Sequence, residues 1–112
     1  MWLFCFLERS INMYYLYILY SEIFDKYYVG VTNRPEERLT EHNTSDRNTF
    51  TAKYRPWVIA ALFECGETLG EARKIEHFIK KMKSKVFIET LINSDELHGT
   101  LAQLVRVPKL RD

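Results

Sequence analysis

Two short runs near the start of the chain fix most of what it can fold into. Residues 14–20 read YYLYILY and residues 27–32 read YYVGVT, and six of the seven tyrosines fall between Tyr14 and Tyr28. Aromatic and β-branched residues at this density suit a pleated, half-buried surface. Apolar runs this short, bounded by polar segments, have the length of strands rather than helices. Residues 21–26 between them form a turn, so the pair predicts an antiparallel hairpin. Gly30, inside the second run, weakens a strand and marks a place where a ligand or another backbone comes close.

The remaining elements follow from punctuation and periodicity. Arg34 precedes Pro35, which excludes Arg34 from helical conformation and suits Pro35 to a first helical position. Glu36 and Glu37 then favour a helix N-terminus, and the spacing predicts a short helix to about His42. Asn43 to Tyr54 reads as a polar loop. Trp57 to Glu64 is short and apolar between Pro56 and Gly66, a third strand. Thr68 to Glu71 fits a capping box, and Ala72, Ile75, Phe78, Ile79 and Met82 then recur at helical spacing. A further short helix is expected over Ser84 to Ile92. The order β-β-α-β-α-α predicts an α/β (α+β) domain, a small three-stranded, mostly antiparallel sheet flanked by helices.

At 112 residues the chain is sized for one domain. Met13 stands directly before the first patterned run, so residues 1–12 read as an N-terminal extension with Met13 as the natural start. The domain then spans 13–95, with a basic tail over 96–112. The N-terminal apolar run, Trp2 to Leu7, is far below the roughly 20 residues of a membrane span. It also lacks the basic n-region and cleavage site of a signal peptide. Cys5 and Cys65 form no CxxC pair, which argues against a disulfide framework or zinc cluster and for a reducing cytoplasm.

The residues with chemical potential cluster in order along this scaffold. Tyr17 lies on the first strand, Tyr28 leads into Val29 and Gly30, and Arg38 and His42, four apart, share one helical face. Glu76 falls on the shoulder of the Ala72, Ile75, Ile79 stripe, with Arg73, Lys80 and Lys83 toward the same side. A solvated charge paired with Lys80 at i+4 is the plain alternative for Glu76, and a surface histidine the equal alternative for His42. Tyr14, Tyr15, Tyr20 and Tyr27 are better read as sheet packing.

Taken together, Leu16-Tyr17-Ile18, Tyr28-Val29-Gly30, Arg38-Leu39 with His42 and Asn43, and Glu76 resemble the GIY-YIG nuclease superfamily. The resemblance covers about Tyr14 to Asn93 and is nearest to its small stand-alone bacterial members, which are similar to the nuclease domains of excision-repair and structure-selective endonucleases. It implies a metal-dependent DNA endonuclease that hydrolyses phosphodiester bonds, linked to DNA repair or recombination. Tyr17, Tyr28, Arg38, His42 and Glu76 would be catalytic. Glu76 would hold one Mg²⁺ or Mn²⁺, and Gly30, Arg38, Arg73, Lys80 and Lys83 would face the phosphates. Departures also stand out. Tyr15 and Leu16 replace the first motif's glycine and isoleucine, Val31 stands where some relatives have lysine, and the distal asparagine has its counterpart only in Asn93. The loss of that lysine keeps open a non-catalytic nucleic-acid-binding module on the same fold.

The formal charge is +1 for the whole chain, which by itself suggests no polyanionic partner. The distribution says otherwise. Residues 71–85 carry six Lys or Arg against two acids, a basic strip beside Glu76 suited to backbone contacts with DNA and little sequence specificity.

Overall fold

The computed structural model describes residues 13–45, 49–94 and 104–107. The expected hairpin is present: β1 (Tyr14–Ser21) pairs antiparallel with β2 (Lys26–Thr32), placing Tyr17 opposite Gly30 and Leu19 opposite Tyr28. β3 (Val58–Gly66) pairs antiparallel with the other edge of β1. It begins one residue later than expected, because the Trp57 N–H is bonded to the Asn43 side chain instead of a strand, and runs two residues further. A two-residue strand, β4 (Val105–Arg106), extends the three-stranded sheet on the far side of β3, giving the order β2-β1-β3-β4. The adjoining Leu104 is buried in the core, so this part of the basic tail packs with the domain. Residues 1–12 and most of the tail lie outside the described residues.

Helices cover both faces. α1 (Pro35–Thr44) starts with proline at its first turn and no side-chain cap at Arg34. Glu36 and Glu37 in that turn supply the negative charge its free N–H groups favour. The segment expected to be loop contains a one-turn helix, α2 (Phe50–Lys53), whose Thr49 hydroxyl accepts from the Ala52 N–H. Polar composition hid it because one capped turn is too short to show periodicity.

α3 (Leu69–Met82) is capped as expected at Thr68, whose hydroxyl accepts from the Glu71 N–H at 3.1 Å. The Glu71 carboxylate reaches back to the Glu67 N–H, one residue earlier than in a standard capping box. Ala72, Ile75 and Ile79 are buried and Phe78 half-buried, but Met82 is 46% exposed because the helix ends there, at left-handed Lys83. α4 (Lys85–Asn93) follows, capped by Ser84.

The strict alternation of β1 divides the interior in two. Leu16 and Ile18 face one side and pack with Val29, Phe63, Ile75, Ile79 and Leu91 under α3 and α4. Tyr17 and Leu19 face the other, against Trp57, Tyr28 and Leu39 of α1. Each of these β1 side chains is at most 3% exposed. One strand therefore carries the main core on one face and the chemically interesting tyrosine on the other.

Candidate active site

The Tyr17 ring lies across Gly30, its register partner on β2. A Cβ built at Gly30 would stand 2.4 Å from the Tyr17 hydroxyl oxygen and 2.5 Å from Cζ, closer than any real contact. The close approach anticipated at this glycine is thus made by a tyrosine side chain, and Gly30 serves the site by making room for it. With its ring laid over β2, Tyr17 points its hydroxyl at α1, where it is 3.0 Å from Nε2 of buried His42. The ring of Tyr28 stacks at a tilt on the same histidine, with centroids 4.9 Å apart.

Four hydrogen bonds hold the end of α1 that carries His42. The Asn43 side chain donates to the Trp57 carbonyl at 3.0 Å and accepts from the Trp57 N–H at 2.7 Å. Arg55 Nε donates to the His42 carbonyl at 2.7 Å, and its Nη2 donates to the Ser45 carbonyl. The indole of Trp57 donates to the Thr51 carbonyl at 2.8 Å, tying α2 to the same platform. Arg55 carried no sequence signal, since it lies outside every periodic segment.

A cleft of about 270 Å³ opens above this platform, lined by Tyr28, Arg38, Glu41 and His42 of β2 and α1, and by Thr49 and Phe50 at the start of α2. Arg38 is held at 2.6 Å by Glu41, an i,i+3 pair with both partners substantially exposed. Glu41 was not anticipated, although its spacing from Arg38 is a legible cue.

Electrostatics set the protonation states. Burial pushes the Tyr17 phenol up to about 12, with Arg38 pulling the other way and Tyr28 and Glu76 adding to the rise. Burial, then the positive charge of Arg38, holds His42 down to about 4, with Arg55 adding to the effect and Glu41 opposing it. At neutral pH the pair is therefore a neutral phenol hydrogen-bonded to a neutral imidazole.

Glu76 comes from α3, which packs on the main-core face of the sheet. Its side chain is 19% exposed and paired with Lys80 at 2.9 Å. Lys80 Nζ in turn lies 5.4 Å from the centre of the Tyr28 ring. The i+4 pair expected on the plain reading of Glu76 is present, and the carboxylate is also among the charges that raise the Tyr17 phenol. Lys80 and Lys83 line a shallow groove beside Tyr28, while Arg73 is exposed further back on α3. Asn93 is exposed at the end of α4 and donates to the Glu89 carbonyl of its own helix. Val31 packs against the main core.

The family model for the GIY-YIG catalytic domain matches residues 13–90. The chain belongs to the GIY-YIG family. This GIY-YIG chain is also 43% identical over 74 residues to a UPF0213 protein of Enterococcus faecalis (strain ATCC 700802 / V583), an alignment covering 64% of this chain and 82% of the relative. Membership implies a nuclease domain acting on nucleic acid. Among the described residues, no helix is long and apolar enough to cross a membrane.

The family implies a divalent metal. Among the described residues no cluster of three or more His, Cys, Asp or Glu is available to cage one. The donor chemistry instead offers one half-shielded carboxylate, Glu76, already paired with Lys80. That fits Mg²⁺, which is commonly held by one or two carboxylates with the remaining positions left to water and substrate phosphate.

Proposed function

We propose that this GIY-YIG protein is a divalent-metal-dependent endonuclease that hydrolyses phosphodiester bonds in DNA, with a role in repair or recombination. The observation that carries this reading is the buried Tyr17 hydroxyl, seated over Gly30, bonded to neutral His42 and set beside a cleft that displays Arg38.

Ionised Tyr17 is not a resting state. With the phenol pushed up to about 12, its phenolate at neutral pH costs about 7 kcal/mol. The hydrogen bond to His42 offers a way around that cost. In the tautomer with its proton on Nδ1, His42 accepts from Tyr17 through Nε2. As the phenol oxygen takes a proton from the attacking water, its own proton passes to Nε2. The imidazolium so formed is unfavourable beside Arg38 and Arg55, and an incoming phosphodiester, being negative, offsets that repulsion. Proton transfer is thereby favoured only when substrate is present.

Arg38 would grip the phosphate with its planar fork. Its exposed pair with Glu41 is worth at most about 1 kcal/mol, so phosphate can displace the carboxylate at little cost. Glu76 would hold the metal, with Lys80 released toward the phosphates. When bound, the metal supplies a Lewis acid for the phosphoryl oxygens and the leaving alkoxide. Lys83 and Arg73 extend the positive surface along α3.

The test is cleavage of nicked, flapped and plasmid DNA with Mg²⁺ or Mn²⁺ and with chelator. Wild type should cut only with metal, and Glu76→Ala and Arg38→Ala should each lose about a hundred-fold or more of the rate. Undiminished cleavage by Glu76→Ala would falsify the metal role. Val31, half-buried against the main core where some relatives place lysine, favours one other reading, a DNA-binding module without turnover. Salt-sensitive binding by wild type with no cleavage under any metal would establish it.

A further inference from the structure

Two of the largest exposed apolar side chains stand beside the cleft rather than scattered over the surface. Phe24, in the β1–β2 turn, is 44% exposed, and Phe50, the first residue of α2, is 46% exposed. Half-buried Tyr54 lies between them. Its ring is 5.3 Å from Phe24, edge-on, and 4.9 Å from Phe50. Phe50 then runs nearly parallel to Tyr28, with centroids 6.2 Å apart and planes 26° apart. The rings form one strip from the hairpin turn into the cleft, where Phe50 and Tyr28 share the lining with Arg38 and His42.

Isolated exposed hydrophobic residues need no explanation. A contiguous aromatic strip that is continuous with a reaction site does, since phenylalanine has no polar group to offset its exposure. The strip is also cationic. Lys26 Nζ stands 5.1 Å from the centre of the Tyr54 ring, and Arg38 lies at the inner end. Ring faces alternating with fixed positive charge are the chemistry that holds unpaired nucleotides, by base stacking and by attraction to phosphate. A continuous duplex keeps its base faces stacked inside the helix and offers none to such a strip.

We propose that Phe24, Tyr54 and Phe50 form a stacking track for unpaired DNA bases leading to the cleft, so that the substrate is a single strand or the unpaired arm of a branched DNA. This rests on the nuclease reading above and names its substrate class. The scissile phosphate lies at Arg38 and His42, and the nucleotides on one side of it follow the track outward to the turn, with Lys26 meeting their backbone.

Binding is measured first, by fluorescence anisotropy in chelator with the Glu76→Ala protein, so that a protein that never cuts still reports on the track. A labelled thymidine oligonucleotide should bind more tightly than a duplex of the same length. Phe24→Ala should weaken the single strand about five-fold or more, leave duplex affinity unchanged and leave the melting temperature near that of the parent. Phe24→Tyr, which keeps a ring, should restore binding. Irradiation of an oligonucleotide carrying 5-iododeoxyuridine should cross-link to Phe24, Tyr54 or Phe50. Equal affinity for duplex and single strand, or a Phe24→Ala protein that binds the single strand as the parent does, overturns the track. Cleavage separates the two readings. A Phe24→Ala protein with intact Glu76 that cuts flapped DNA at the wild-type rate and KM refutes the track while the nuclease reading stands. Wild type that never cuts, but loses single-strand affinity with Phe24→Ala, refutes the nuclease reading while the track stands.

Discussion

At the scale of single residues, the site depends on one missing methyl group. Gly30 has ordinary strand pairing and no positive φ, so its role is spatial. Gly30→Ala would drive the Tyr17 ring out of a position in which it is only 3% exposed. Overpacking of this kind costs about 1–3 kcal/mol, so the melting temperature should drop by several degrees, and cleavage should fall further than stability alone accounts for. A Gly30→Ala protein with wild-type melting and cleavage would show that Tyr17 is free to move. His42 makes a second prediction. Its folded value, about 4, lies below the ordinary histidine range, so between about pH 6.5 and 4 the unfolded chain binds the extra proton. Stability is therefore fully present above that window and falls as pH is lowered through it. Denaturant melts of wild type and His42→Gln across these pH values should converge toward the acid end; parallel curves would mean that His42 is not buried neutral.

At the scale of elements, the boundaries that carry strong local chemistry were legible in the sequence. Pro35 opens α1, and the Thr68 and Ser84 caps open α3 and α4. The tyrosine-rich runs pair as a hairpin. What was not legible depends on tertiary partners. α2 is a single turn whose place is fixed by the Trp57 indole bonding the Thr51 carbonyl, and β4 exists only because β3 offers it an edge. In the site, Tyr17, Arg38 and His42 are readable from motif and helical spacing, because those spacings are local. The partners of the supports are not, although Asn43 itself stands in the motif. Asn43 holds Trp57 and Arg55 holds the His42 carbonyl through bonds spanning 14 and 13 residues, separations at which no periodicity survives. Gly30 was readable as a point of close approach, but only the register with Tyr17 says what approaches.

At the scale of the whole molecule, a net charge of +1 hides a polarised surface. Lys26, Arg38, Lys80 and Lys83 lie around the cleft and its approaches. If these four each meet a phosphate, a plot of log affinity against log salt for a single strand should have a slope of about −3. Anisotropy titrations over a range of salt check this, and a slope near zero would sink any backbone-led account. The fit between Tyr17 and Gly30 also has a historical meaning. A lineage that lost the ring at position 17 would be released to accept a side chain at position 30, whereas one that gained a side chain at 30 first would forfeit the ring. The two positions form a ratchet, so descendants of this chain that have abandoned the chemistry should be recognisable by a side chain where the glycine stood.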